Sequence, residues 1–150
     1  MTKPDHSLVQ LCYVSVPSNS LTLADVDDIL HSARHNNLRH GITGVLSFGN
    51  GYFLQILEGA HSAVESTYET ICLDPRHSHV KRVQLIGISQ RNFDGWAMSY
   101  IPKPMLFRML TAAGVDVVWP DGAEELEDIA ATHYPTLVQV LAGEPSRAAV

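Results

Sequence analysis

The chain has 150 residues, 45% of them hydrophobic and 17% charged, a composition that fits one core-bearing globular domain and excludes a disordered or fibrous chain. Sixteen Asp and Glu against ten Lys and Arg give a formal charge of -6 with no basic run, which disfavours nucleic acid and anionic lipid as direct partners. The opening Met1 to Ser7 has no apolar signal segment, no stretch approaches the roughly 20 apolar residues that span a bilayer, and Cys12 and Cys72 form no CxxC, so the expectation is a soluble protein of the reducing cytoplasm.

Leu8 to Ser15 alternates as a strand, with Val9, Leu11, Tyr13 and Ser15 on one face and Leu8, Gln10, Cys12 and Val14 on the other, and Pro17-Ser18-Asn19-Ser20 ends it. Thr22 with Asp25 reads as a capping box for a helix whose stripe is Val26, Ile29, Leu30 and Ala33. That helix is expected to run to about Asn36 or Asn37. Helical spacing from Ile29 puts both asparagines on the core-facing side, although either could instead serve to end the helix.

Gly41 to Phe48 is the next strand, and Gly49-Asn50-Gly51 forms a tight hairpin into Tyr52-Phe53-Leu54-Gln55-Ile56-Leu57-Glu58-Gly59. In that strand Phe53, Gln55 and Leu57 share one face and Tyr52, Leu54 and Ile56 the other, so the Gln55 amide is expected inside the core. An unpaired buried amide group costs about 1 to 3 kcal/mol, so Gln55 requires polar partners there. Ser62 to Glu65 reads as a second capping box, opening a helix with the stripe Val64, Thr67, Tyr68 and Ile71 that ends near Asp74-Pro75. A β-branched strand over Val80 to Ile88 and a turn at Gln90 to Gly95 lead to a last strand from Trp96 to Ile101, with Trp96, Met98 and Tyr100 on one face.

The order β-α-β-β-α-β-β implies an α+β, ferredoxin-like fold in which two helices cover one face of a five-stranded mixed sheet. After Pro102-Lys103-Pro104 come a helical segment with Leu106, Met109, Leu110 and Ala113, another with Leu126, Ile129 and Ala130, and an apolar turn from Leu137 to Leu141. This extension is expected to cover the free sheet face or a partner's, because an apolar stripe must be buried somewhere. His77 and His79 beside Asp74 lack a third or fourth ligand at a usual spacing, so no metal site is expected.

Tyr13, Gln55, Trp96 and Met98 are thus expected on the helix side of the sheet, with Asn36 and Asn37 reaching in. The set is polar, aromatic and almost uncharged. It suits a planar heteroaromatic ligand with amides at its edge and aliphatic packing from Ile29 and Ile71 on its faces.

These residues fall in stretches that closely resemble the BLUF family, blue-light sensors that use flavin. The matching stretches are Leu11-Cys12-Tyr13, Asn36-Asn37 with Gly41-Ile42-Thr43-Gly44, Phe53 to Gly59, Asp74-Pro75-Arg76-His77, and Arg91-Asn92-Phe93 with Trp96-Ala97-Met98. They run in order at the family's spacings over roughly residues 8 to 101. The resemblance implies a BLUF-like flavin-binding domain at 1–103, and the residue pattern beyond it reads as a helical extension at 104–143 and a flexible tail at 144–150.

It further implies a noncovalently bound flavin, FAD in the first place with FMN or riboflavin as alternatives. The tyrosine matching Tyr13 gives the excited flavin an electron and then a proton, and the glutamine matching Gln55 rotates or tautomerises, shifting the absorption to the red. The residues matching Ile29, Asn36, Asn37, Phe53, Ile71, Arg76 and His77 bind the flavin, and those matching Trp96 and Met98 relay the signal. Several relatives carry a basic residue just before the position of Ile71, where Thr70 stands here. Since the residues after Pro104 are too few for an effector enzyme, the expectation is a non-enzymatic sensor that forms a homo-oligomer and signals to a protein partner in trans. The alternatives are an acylphosphatase-like hydrolase, which would use Arg76 and Asn37 but leaves Tyr13 and Gln55 without a role, and a flavin-free interaction module.

Overall fold

The computed structural model describes residues 6–17, 21–49, 51–115 and 123–143, without the side chains of 123–126. The turn expected at 18–20, Asn50, the Leu126 side chain and the tail at 144–150 lie outside the described residues.

Five strands form one sheet in the order β4-β1-β3-β2-β5. β1 (Leu8–Pro17) lies antiparallel between β3 (Tyr52–Ala60) and β4 (His77–Gly87), and β2 (Thr43–Gly49) pairs antiparallel with β3. β5 (Ser99–Pro102) adds parallel to the outer edge of β2, which makes the sheet mixed. Gly44 is what allows β2 to lie so close to β3, since a Cβ there would overlap the Ile56 carbonyl oxygen.

α1 (Leu23–His40) and α2 (His61–Leu73) cover one face of the sheet, as the periodicity implies. Val26, Ile29 and Leu30 from α1 and Val64 from α2 meet Val9, Leu11, Tyr13, Phe53 and Leu57 from the strands. The Thr22–Asp25 capping box is present, a feature that stabilises a helix start by about 1 kcal/mol. α1 continues through Asn36 and Asn37 to His40 and stops at Gly41, whose φ of 67° supplies the left-handed cap. The asparagines therefore sit inside the last turns and do not end the helix. The second expected capping box, at Ser62, does not form: β3 runs straight into α2 with Ala60 at the N-cap, and the His61 N–H is satisfied by the Ser7 carbonyl.

The opposite face is covered by α3 (Lys103–Ala112), α4 (Ala123–Thr132) and α5 (Tyr134–Ala142). Leu106, Phe107, Leu110, Ala130, Leu137, Val138 and Leu141 pack there on Cys12, Val14, Val45, Leu54 and Ile56. The apolar turn expected around 137–141 is a helix, because Pro135 occupies its first turn, where a missing N–H costs nothing.

A buried polar network ties this second layer together. Glu58, fully buried, accepts from the backbone N–H groups of Asn92 and Phe93, each at 2.8 Å, and from Gln10 Nε2 at 2.7 Å, while Tyr134 donates to Gln10 Oε1 at 2.6 Å. Glu58→Ala leaves the Asn92 and Phe93 N–H groups without their carboxylate acceptor and Gln10 Nε2 with only a longer contact of 3.4 Å to Asn92 Oδ1, so a loss of about 3 to 5 kcal/mol in a denaturant titration is expected. Glu58→Gln, which keeps an acceptor oxygen, should lose clearly less; equal stability of all three proteins would show that the network contributes nothing.

A cavity between the two helices as the candidate functional site

Tyr13 and Gln55 are direct partners in the β1–β3 register, so antiparallel pairing sends both side chains off the same face toward α1 and α2. The Tyr13 hydroxyl donates to Gln55 Oε1, and Gln55 Nε2 donates to Met98 Sδ at 3.4 Å. Both ends of the amide that the sequence left in search of partners are thus engaged. Burial, with smaller effects from the neighbouring Cys72 and Tyr68, holds the Tyr13 phenol well above its ordinary pKa, so it stays a neutral donor.

Above this pair lies a cavity of about 520 Å³, within the range of small-molecule sites. Each helix contributes two adjacent rows at a four-residue spacing: Ile29-Ala33-Asn37 and Ser32-Asn36-His40 from α1, and Ala63-Thr67-Ile71 and Ser62-Ser66-Thr70 from α2. The first row of each pair is the more buried, and Asn36 is exposed on the outer row whereas Asn37 is 2% exposed. Asn37 Nδ2 donates to the Ala97 carbonyl at 2.7 Å, which anchors the amide at the border of the cavity. Leu46 and Leu57 complete the floor. The hydroxyl rows of Ser62, Ser66, Thr70 and Ser32 went unnoticed in the sequence, although their regular spacing could have revealed them.

At the open side the Arg76 guanidinium is forked onto Asp74, with Nη2 to Oδ2 at 2.7 Å, which lowers the Asp74 pKa and raises that of Arg76. His77 Nδ1 lies 3.0 Å from Ser15 Oγ, and burial lowers the imidazole pKa, favouring the neutral ring. Phe53 does not reach the cavity: its ring packs against His77 with centroids 4.9 Å apart, and so supports the site from behind.

Met98 and Trp96 part company. Met98 joins the helix-side core, whereas Trp96 lies in the core beneath α3–α5, its ring 5.5 Å from that of Phe93. The expectation of a shared face assumed a strand from Trp96, but β5 begins only at Ser99. The preceding segment is a turn, with Gly95 at φ 83°, and strand alternation does not apply to it.

The chemistry of the donor set fits a flavin. Ile29 and Ile71 offer aliphatic faces from opposite helices, Asn37 and Gln55 offer neutral amides at the buried end, and the Asp74–Arg76 pair with His77 stands at the open end. Among the described residues no group of three His, Cys, Asp or Glu could hold a metal ion.

Residues 8–99 match the family described as BLUF, sensors of blue-light using FAD. The chain belongs to the BLUF family. It is a member of a flavin-using class of blue-light sensors, and the acylphosphatase-like alternative gains no support. The BLUF chain is 33% identical over 103 residues to the photoactivated adenylate cyclase subunit beta of Euglena longa, covering 68% of its own length and 12% of that protein. It is 32% identical over 73 residues to the blue light- and temperature-regulated antirepressor BluF of Escherichia coli (strain K12), covering 49% of itself and 18% of the relative. It thus spans less than a fifth of either of these curated relatives. Among solved structures, the dark state of the BLUF protein BlrB superposes with a TM-score of 0.76 at 28% identity, covering 91% of this chain and 96% of that one. The likeness therefore includes the helical layer on the far face of the sheet.

Proposed function

We propose that this chain senses blue light through a flavin, FAD by preference, held between α1 and α2, and that the Gln55 amide is the switch. The observation that carries the reading is the position of that amide, bonded to a phenol at its oxygen and to a thioether at its nitrogen. When bound and excited, the flavin supplies an electron acceptor. Tyr13 gives up an electron and its hydroxyl proton and recovers both, so no net charge remains. Gln55 is left inverted or tautomerised. An amide has opposite hydrogen-bond character at its two ends, and a thioether can only accept, so inversion turns an amide oxygen toward Met98 Sδ and removes its donor.

Ile29 and Ile71 pack the ring faces, Asn37 and Asn36 hold the polar ring edge, and Arg76 and His77 meet the side chain of the flavin, with Phe53 behind them. Met98 and Trp96 belong to one short segment that touches both faces of the sheet, so a loosened Met98 is felt by the α3–α5 layer through Trp96. The output is a changed contact with another copy or with a protein partner in trans, without catalysis in this chain and within the cytoplasm. Among the described residues no helix is long and apolar enough to cross a membrane.

Purified in the dark, the protein is expected to be yellow and to release flavin on denaturation, and chromatography of the released flavin distinguishes FAD from FMN. A protein that stays colourless after incubation with FAD, FMN or riboflavin contradicts the reading.

A further inference from the structure

The segment at 96–98 is held carbonyl by carbonyl. Gly44 N–H donates to the Trp96 oxygen at 2.9 Å, Asn37 Nδ2 to the Ala97 oxygen at 2.7 Å, and Arg34 Nε to the Met98 oxygen at 2.8 Å. Arg34 sits one helical turn before Asn37, yet it is absent from the cavity lining. Its contact is the only one of the three made by a charged donor, and charge-assisted hydrogen bonds are roughly twice as strong as neutral ones. Partial burial lowers the pKa of the guanidinium from its ordinary value, and Asp27, earlier on the same helix, offsets part of that effect.

Met98 is therefore gripped twice, by Gln55 at its sulfur and by Arg34 at its carbonyl. The first grip is the one that amide inversion breaks. We infer that Arg34 is a positioning residue, a latch on the Met98 backbone that keeps the side chain inward in the dark and draws it back after light. The inference rests on the Gln55 switch proposed above, and it adds a residue outside the cavity that sets how long the lit state lasts. Since α1 carries both the latch and the cavity wall, the return of Met98 is tied to the same helix that holds the chromophore.

The test pairs two readouts on Arg34→Ala and Arg34→Lys. In the flavin-loaded protein, Arg34→Ala is expected to leave the dark spectrum and the size of the red shift intact while slowing dark recovery by roughly tenfold. Arg34→Lys, which restores one charged donor, is expected to return most of the rate. In flavin-free protein carrying labelled methionine methyl groups, the Met98 resonance, assigned through Met98→Leu, is expected to move and broaden in Arg34→Ala but not in Arg34→Lys. Wild-type recovery together with an unmoved Met98 methyl in Arg34→Ala overturns the latch. A wild-type protein that binds flavin but shows no reversible shift overturns the switch instead, and the methyl experiment then still decides whether Arg34 positions Met98.

Discussion

Gln55→Leu is expected to keep the flavin and to abolish the reversible red shift. Leucine matches the volume of the glutamine side chain closely, and Leu46 and Leu57 already line the same floor, so the cavity keeps its shape and its apolar contacts. What is lost is the group that bonds to both Tyr13 and Met98. The Tyr13 hydroxyl, 1% exposed at the residue level, loses its acceptor, for which a stability loss of about 1 to 3 kcal/mol is expected. Absorption spectra before and after a blue-light pulse check this. A normal, dark-reverting shift in Gln55→Leu would remove Gln55 from the switch.

Tyr13→Phe separates the donor from the amide. The ring keeps its neighbours, Tyr68 at 5.7 Å and His77 at 6.4 Å between centroids, so folding and flavin retention should be close to wild type. The hydroxyl is gone, and with it the proton and the readily oxidised phenol. Gln55 Oε1 also loses the hydroxyl that donates to it, so the β1 side no longer biases which way the amide points. The expected result is bound flavin without the normal red-shifted state, read by time-resolved absorption after excitation. Formation of the usual lit state in Tyr13→Phe would assign electron donation to another residue.

The parts of the fold legible in the sequence are those governed by strict periods. Alternation along β1 and β3 fixes which residues share a face with Tyr13 and which with Gln55, and the antiparallel register, in which the two are partners, puts both on the helix side. Helical spacing likewise aimed Ile29, Asn37 and Ile71 at the same space. Met98 was grouped correctly with Gln55, but for an incomplete reason, since its position follows from carbonyl contacts with Arg34 and Asn37 and not from strand geometry. Trp96 escaped for the same reason, because Gly95 and the turn after Phe93 break the period.

Long-range polar pairing was the least legible layer. Tyr134 and Gln10 are 124 positions apart, and nothing local announces that a C-terminal hydroxyl will meet an amide in the first strand. The same holds for Glu58, whose partners come from the turn at Asn92 and Phe93 and from β1. The sequence raised no expectation for Glu58, and a sequence pattern cannot name partners that only the fold assembles.

The most direct measurement of the central claim is a light-minus-dark infrared difference spectrum of the flavin-loaded protein with isotopically labelled glutamine, compared with Gln55→Leu. The account predicts a glutamine amide band that shifts on illumination, moves with the label, reverts in the dark and is missing from the variant. A spectrum in which no band responds to labelled glutamine, while the flavin itself cycles normally, would contradict it.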